Sequence, residues 1–416
     1  MKISPAGLAH ISIAIILLVY ALAYKNVLAL STSLAMILIF YNEYSSFIRS
    51  RNAVAYLAVK RSLEKEVCNE LDEVAITLSI ENKSGFPISR LTILDKLPRF
   101  IKFKQGRPAF MISVPPHSIV NISYGVEITA SGSHDFTNTM LIISGALGYF
   151  YEELEVDTRE TIVALPLSIG SAIKMKSLQR ILGSYIEGKS TSGLYDLASI
   201  REYQAGDDIR KVLWKTYART MKLMVREDYG EAFARALVMV DIKKFLWDLG
   251  PEPNTIAQVT LRLFRSLVEL LAKYSSVDLA LCVGPSPKVV ANAEQDIIAS
   301  LHRIISAVEA GNGCESSIDV FATVTAFLGK SPEQYDTVVL ITNPLSLAIE
   351  APENFEILLK TYGERLMVLI PYYEYDKIIP AEDVTEMVKA LSYYTSYTRY
   401  GVNITEESFE VFKVRK

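Results

Sequence analysis

The sequence is short of the residues on which metal sites and covalent staples depend. Its three cysteines (Cys68, Cys282, Cys314) lie far apart with no C-x-x-C pair, and its four histidines (His10, His117, His134, His302) are scattered. Such spacing predicts neither a structural zinc site nor a disulfide framework. The 416 residues carry a formal charge of only -4. Without a concentrated basic face, nucleic acid is not an expected partner. Charge is also missing locally: between residues 5 and 41 the only ionisable side chains are His10, Lys25 and tyrosines.

As one helix that run would be about 55 Å long at 1.5 Å per residue, too long for a hydrocarbon core of about 30 Å. Two helices, roughly 8–24 and 27–44, place Lys25-Asn26 in a tight turn at the far surface. The second is short for a span, so tilt or local thinning is expected. A cleaved signal peptide is the rival reading, but a second apolar run comes at once and no small-residue cleavage site precedes a polar start. Lys2 before the first helix and Arg49, Arg51, Lys60 and Arg61 after the second are positive flanks, which stay inside. The expectation is a two-helix multi-pass protein of the cell membrane, in contact with lipid through residues 5–44, its soluble domains cytoplasmic. Asn82-Lys-Ser, Asn121-Ile-Ser and Asn403-Ile-Thr would be glycosylation acceptors only on the outside.

After the anchor the chain changes period twice. Val74, Ile76, Leu78 and Ile80, then Val120, Ile122, Tyr124, Val126 and Ile128, recur at every second position. Turn signals fall at Asn82, Pro115-Pro116, Ser131-Gly132 and Gly145, which predicts a small immunoglobulin-like β-sandwich. From about Arg235, the apolar runs ALVMVD (236–241), VDLALCV (277–283), TVVLIT (337–342) and RLMVLIP (365–371) alternate with helical stretches such as 255–274. Strands apolar throughout and separated by helices predict an open, Rossmann-like α/β sheet covered on both faces. The predicted organisation is a transmembrane helical hairpin and juxtamembrane segment (1–60), a sandwich (61–166), a polar linker segment (167–230) and the α/β domain (231–416).

Two stretches invite a chemical reading. GSYIEGKST, from Gly183 through Gly188, Lys189 and Ser190, fits the phosphate-loop pattern G-x-x-x-x-G-K-[ST]. A true phosphate loop succeeds a buried apolar strand and opens a helix. Here KMKSLQRIL precedes it, and Gly193 falls where the helix would have to begin, so a flexible glycine-serine loop is the reading. The nucleotide-binding enzyme using Lys189 and Asp241 is kept as an alternative.

The second stretch is GLYDLASIREYQAGDDIRKVLWKTYARTMKLMVREDYGE (193–231). Asp196, Arg201, Glu202, Tyr203, Gly206, Asp207, Arg210, Trp214, Ala218, Arg219, Leu223, Val225, Arg226 and Glu227 resemble the signature of the domain of unknown function 58 family. The order of segments in the chain is also similar to that family's. The resemblance implies that the last domain is similar to the von Willebrand factor type A fold. It also implies that the protein works beside a MoxR-type AAA+ ATPase in assembly or maturation of client proteins. Domains of the von Willebrand type hold a divalent ion through D-x-S-x-S after the first strand. This chain reads Asp241-Ile-Lys243-Lys-Phe245 there, with Thr342 and Asn343 at a later strand end. A hard cation needs oxygen ligands, so a degenerate site with no metal and no other cofactor is expected, Asp241 acting as a strand-end cap.

Physically the signature reads as a joint. Gly206-Asp207 offers a turn and a helix N-cap, and the Asp207, Arg210, Trp214, Arg219 spacing suits one helix. Arg201, Arg219 and Arg226 supply bidentate donors for a neighbouring domain. An interdomain clamp around Trp214 and a surface for a partner protein are both open. Catalysis is not expected, because no His, Ser or Cys nucleophile lies near. A metal-dependent adhesion protein with its domains outside is the remaining alternative.

Overall fold

The computed structural model describes residues 1–107, 109–168, 197–203, 212–228, 234–272, 275–293, 296–371, 373, 378, 399–404 and 409–413. Contacts divide the chain into two compact units, Met1–Leu165 and Pro166–Lys416.

The first unit begins with a two-residue strand, β1 (Lys2–Ile3), and then two antiparallel helices, α1 (Pro5–Tyr24) and α2 (Val27–Val54). Both are long and apolar enough to cross a membrane. Ser4 caps α1 and Asn26 caps α2, while Lys25 takes the left-handed conformation that closes the turn between them. The hairpin thus turns at Lys25-Asn26 as the charge pattern requires. The second helix is ten residues longer than its apolar run, and its last turns leave α1 behind to lie on the sandwich. There Phe47, Ser50 and Ala53 are buried, and the Ser50 hydroxyl accepts from the Ser89 N–H at 3.1 Å.

The sandwich is built from β2 (Leu57–Leu63), β3 (Val67–Asn69), β4 (Glu73–Asn82), β5 (Ile88–Leu94), β6 (Ile101–Gln105), β7 (Ala109–Val114), β8 (Ser118–Ile128), β9 (Gly132–Phe136), β10 (Thr139–Ser144), β11 (Phe150–Val156) and β12 (Glu160–Leu165). One antiparallel sheet runs β1-β11-β10-β5-β7, a second runs β2-β4-β8-β6, and β3-β12-β9 form a small third. Side chains of period two from both larger sheets meet in one core, Ile76, Leu78 and Val126 against Leu91, Ile93 and Leu141. Burying each such side chain contributes about 1.5–3 kcal/mol.

Two expectations from the sequence change in the sandwich. Arg61 is not a free flanking charge. Alternation along β2 turns it inward, where its guanidinium donates to Asp95, to the Thr158 carbonyl (2.7 Å) and to the Thr137 carbonyl (3.1 Å). Asn82 is a poor glycan acceptor for the same kind of reason: it is fully buried, with its amide donating to the Phe86 and Pro115 carbonyls at 2.9 and 3.0 Å.

In the second unit, β13 (Leu197–Glu202) pairs antiparallel with β14 (Met224–Asp228), and α3 (Trp214–Thr220) lies between them in sequence. A seven-stranded sheet comes next: β15 (Ala234–Val240), β16 (Ser275–Val283), β17 (Ser286–Val290), β18 (Thr337–Ile341), β19 (Leu366–Pro371), β20 (Arg399–Ile404) and β21 (Phe409–Lys413). Its order is β17-β16-β15-β18-β19-β20-β21, parallel from β16 to β20, with an antiparallel strand at each edge. The helices α4 (Ile256–Leu271), α5 (Ile297–Ile305), α6 (Pro344–Ile349) and α7 (Pro352–Tyr362) lie in the connections between β15 and β19. Thr255 and Gln258 form a reciprocal capping box that starts α4. The chain leaves β15 toward β16 on one side and returns to β18 on the other. Residues after β15 and β18 therefore face the crevice where open α/β sheets bind ligands.

Candidate functional site

Asp241 comes directly after β15 and is completely buried. Its backbone N–H donates to the Ile341 carbonyl, and its carboxylate accepts from the Thr342 hydroxyl at 3.1 Å. Two residues on, Lys243 turns its side chain back into the same crevice. The ammonium lies 3.7 Å from one Asp241 oxygen and 2.8 Å from Glu350, at the end of α6, and it donates to the Ser316 carbonyl at 2.5 Å. Glu350 is itself held by the Asn354 amide at 3.1 Å. Burial pushes the Asp241 carboxyl up to about 6; Lys243 pulls it down, Glu350 pushes it up again, and the Thr342 hydrogen bond lowers it.

This donor set does not fit a divalent ion. The two carboxylates that would have to ligate a cation already embrace an ammonium, and phenylalanine stands at position 245. Among the described residues no group of three or more His, Cys, Asp or Glu is placed to hold a metal.

The wall of the crevice departs from expectation. Cys282, in β16, and Cys314 form a disulfide, although their spacing gave no such sign. Residues 313–315 lie as a strand-like rung between the ends of β15 and β16: the Cys314 N–H donates to the Ile242 carbonyl at 2.6 Å, and the Glu315 N–H to that of Gly284 at 2.9 Å. Position 313 must be glycine for that approach, because a Cβ there would overlap the Ile242 carbonyl and the Lys243 backbone. An open cavity of about 500 Å³ lies outside, lined among others by Lys243, Phe245, Cys314, Ser316, Ile349 and Glu350. Glu350 and Ser316 were not singled out from the sequence. They sit in loops with no motif, 107 and 73 residues from Lys243.

The signature residues are placed only in part. Asp196, Gly206, Asp207 and Arg210, with the whole of 183–190, lie outside the described residues. Arg201 is in β13 and Arg226 in β14, paired across the hairpin with Val225 and Ile200. The Tyr203 N–H donates to the Leu223 carbonyl at 2.9 Å. Val212 bridges Val225, so the backbone is extended there and α3 starts only at Trp214, with Leu213 at the N-cap position and no side-chain cap. Of the four residues whose spacing suits one helix, Trp214 and Arg219 lie on α3, and Asp207 and Arg210 fall outside the described residues. No side chain of α3 is buried: Trp214 is 57% exposed and touches Tyr217 edge-on, and Arg219 is exposed.

Known proteins resemble parts of this chain. Residues 199–246 match the family described as "Protein of unknown function DUF58", a stretch that runs from β13 through the Asp241–Lys243 turn. The "Uncharacterized protein YeaD" of Bacillus subtilis (strain 168) is 24% identical over 173 residues, which is 40% of this chain and 43% of that protein. The alignment thus spans less than half of that relative. Among solved structures, the CARDB domain of the PF1109 protein from Pyrococcus furiosus shares 10% identity over 26% of this chain and 91% of its own, with a TM-score of 0.19. The non-cellulosomal cohesin from Archaeoglobus fulgidus gives the same figures of 10%, 26%, 91% and 0.19. At that score neither structure adds to what the strand pairing establishes.

Proposed function

We propose that this chain is a membrane-anchored, non-enzymatic adaptor that works with a MoxR-type AAA+ ATPase on client proteins at the cytoplasmic face. The observation that carries the adaptor reading is the exposed apolar face of α3. Trp214 and Tyr217, 57% and 38% exposed, lie on a seven-residue helix with no buried side chain, and Met221, its left-handed C-cap residue, is 77% exposed. Aromatic residues and methionine are the types enriched at protein interfaces, and tryptophan and tyrosine dominate their energetic centres. The ATPase as the partner, and the von Willebrand type A-like assignment, rest on the resemblance of the signature. Asp241 and Thr342 at adjacent strand ends support the latter.

The Lys243 clamp weighs against both alternatives. An ammonium tied to two carboxylates and a carbonyl is neither a nucleophile nor a metal site, and no substrate oxygen can displace it without leaving Asp241 and Glu350 unpaired. Lys2, Arg49, Arg51 and Lys60 support cytoplasmic placement. The test is co-purification from native membranes with Trp214→Ala/Tyr217→Ala in the full chain. The variant is expected to lose the ATPase while its stability stays within about 0.5 kcal/mol of wild type, as for exposed substitutions. Retention of the ATPase would refute α3 as its docking face.

A further inference from the structure

The sandwich does not hang below the helical hairpin; one of its loops reaches up between the helices. The Ser33 hydroxyl donates to the Ala14 carbonyl (2.8 Å), and a His10 ring nitrogen lies 3.0 Å from the Met36 carbonyl. With two antiparallel helices in that register, the start of α1 at Pro5 is level with residues 41–42 of α2. The twenty residues of α1 rise about 30 Å, the full thickness of a hydrocarbon core. Exposed tyrosines mark the two levels so defined, Tyr20 and Tyr24 at one end, Tyr41 and Tyr44 at the other. Tyrosine favours the two membrane–water interfaces.

The loop of residues 145–149 crosses the second level. The Tyr149 hydroxyl lies 3.1 Å from His10 Nδ1, five residues along α1 and so about 7 Å past its start. A Cβ on Gly7 would stand 2.9 Å from that of Tyr149, so α1 needs glycine where the loop passes. Behind the loop, the buried Glu43 carboxylate accepts the N–H groups of Leu147, Gly148 and Tyr149 at 2.9, 2.8 and 3.2 Å. Irregular backbone at membrane depth requires such internal partners, because lipid offers none. Ala146 and Leu147, at the tip, remain exposed.

We propose that this loop is a lipid-contacting element of the sandwich, set into the interfacial layer of the bilayer with Leu147 as its apolar contact. The proposal rests on α1 and α2 spanning the bilayer, and the bilayer lipid is its partner. It ties the sandwich to the membrane surface at a fixed depth, in place of a free tether.

The test uses the full chain in lipid nanodiscs, with Leu147→Cys carrying an environment-sensitive fluorophore. The native cysteines do not compete, since Cys68 is buried with its thiol pushed up to about 12, and Cys282 and Cys314 are buried whether paired or reduced. Ile16→Cys, exposed midway along α1, and Ser123→Cys, exposed on β8, are the lipid and water controls. The Leu147 probe is expected to emit to the blue of the Ser123 probe, to be quenched by lipid nitroxides placed near the headgroup, and to resist aqueous iodide. Ala146→Cys should repeat the pattern. A Leu147 probe that behaves like the Ser123 probe, while Ile16 is quenched by deep nitroxides, overturns the proposal. Escape of Ile16 from deep nitroxides overturns the spanning reading itself.

Discussion

Replacing Lys243 with methionine removes the cation and keeps most of the volume. The Lys243 side chain is only 8% exposed, and those of its partners Asp241 and Glu350 are 0% and 5% exposed, so water cannot compensate for its loss. Removing one member of a buried ion pair costs about 3–5 kcal/mol, because the remaining charge is left uncompensated. At about 2–4 °C per kcal/mol for a unit of this size, the melting temperature should fall by roughly 6–20 °C. The effect should depend on pH with a definite sign. Burial raises the folded pKa of Asp241 from its ordinary value of 3.8 to about 6, so its neutral form is favoured in the folded state. Its effect on stability turns unfavourable as pH rises from about 4 through 6. Without Lys243 that folded pKa climbs further and the penalty at neutral pH grows. Lys243→Met should therefore lose more at pH 8 than at pH 5, and a second change, Asp241→Asn, should recover part of the loss. Thermal scans of wild type, both single variants and the double variant across pH 5–8 check this. Equal melting temperatures for Lys243→Met and wild type at pH 8 would refute a buried clamp.

The disulfide closes a loop of about 32 residues, so in the chain-entropy model its reduction, or Cys282→Ser/Cys314→Ser, should cost about 3–4 kcal/mol, read as a shift in denaturant midpoint. His134 in β9 is buried, and that burial lowers its ring pKa to about 4 despite the Ala130 carbonyl 2.8 Å away. The unfolded chain then binds the extra proton first, so the sandwich should be most stable above about pH 6.5 and lose stability as pH falls toward 4; His134→Gln should flatten that dependence. For orientation, Val27→Cys at the hairpin turn should react with an impermeant thiol reagent from outside intact cells, and Lys83→Cys should not. Lys83 is chosen because its neighbour Ser84 is buried, and Val27 because Asn26 caps α2. The reverse labelling would put the domains outside.

How far the sequence can be read depends on how local each signal is. The sandwich strands were legible because Val74 to Ile80 and Val120 to Ile128 alternate against one core, and alternation is visible within a single strand. The parallel strands were legible because both faces are covered, leaving runs such as LMVLIP with no polar interruption. The turn at Lys25 was set by a lone charge in an apolar run. The extension of α2 to Val54 was hidden, because its last turns carry Arg49 and Arg51 on the outer face and bury Phe47, Ser50 and Ala53 against a sheet more than thirty residues later. The inward turn of Arg61 was hidden for a related reason: its partner Asp95 is 34 positions away, and no local pattern announces a buried guanidinium. The candidate site was half visible. Asp241, Lys243 and Thr342 stand at strand ends that periodicity locates, whereas Glu350, Ser316 and the Cys282–Cys314 pair are brought in by loops.

The disulfide and the charge flanks pull the orientation in opposite directions, and the contest turns on how each arises. Disulfides persist mainly in oxidising compartments, which would favour outward-facing domains. Yet this pairing needs no framework of its own. The rung 313–315 is already fixed between β15 and β16 by backbone hydrogen bonds from Cys314 and Glu315, and Gly313 permits the approach. Two thiols so held would stay adjacent when reduced. The flanks act earlier, at insertion, when nothing of the sheet exists. Lys2 and Arg49 bracket a hairpin whose turn carries the single charge of Lys25, and on the positive-inside rule that imbalance favours domains inside before any cysteine meets its partner. On that reading the disulfide would report only the redox state of the compartment the domains occupy. With the domains inside a reducing cell the pair should be found as thiols, the rung intact and the Lys243 clamp unmoved, and mass spectrometry after alkylation in intact cells distinguishes the two states. Recovery of a quantitative disulfide from cells alkylated at once would place the domains in an oxidising compartment, and with them outside, a cytoplasmic ATPase could not be the partner.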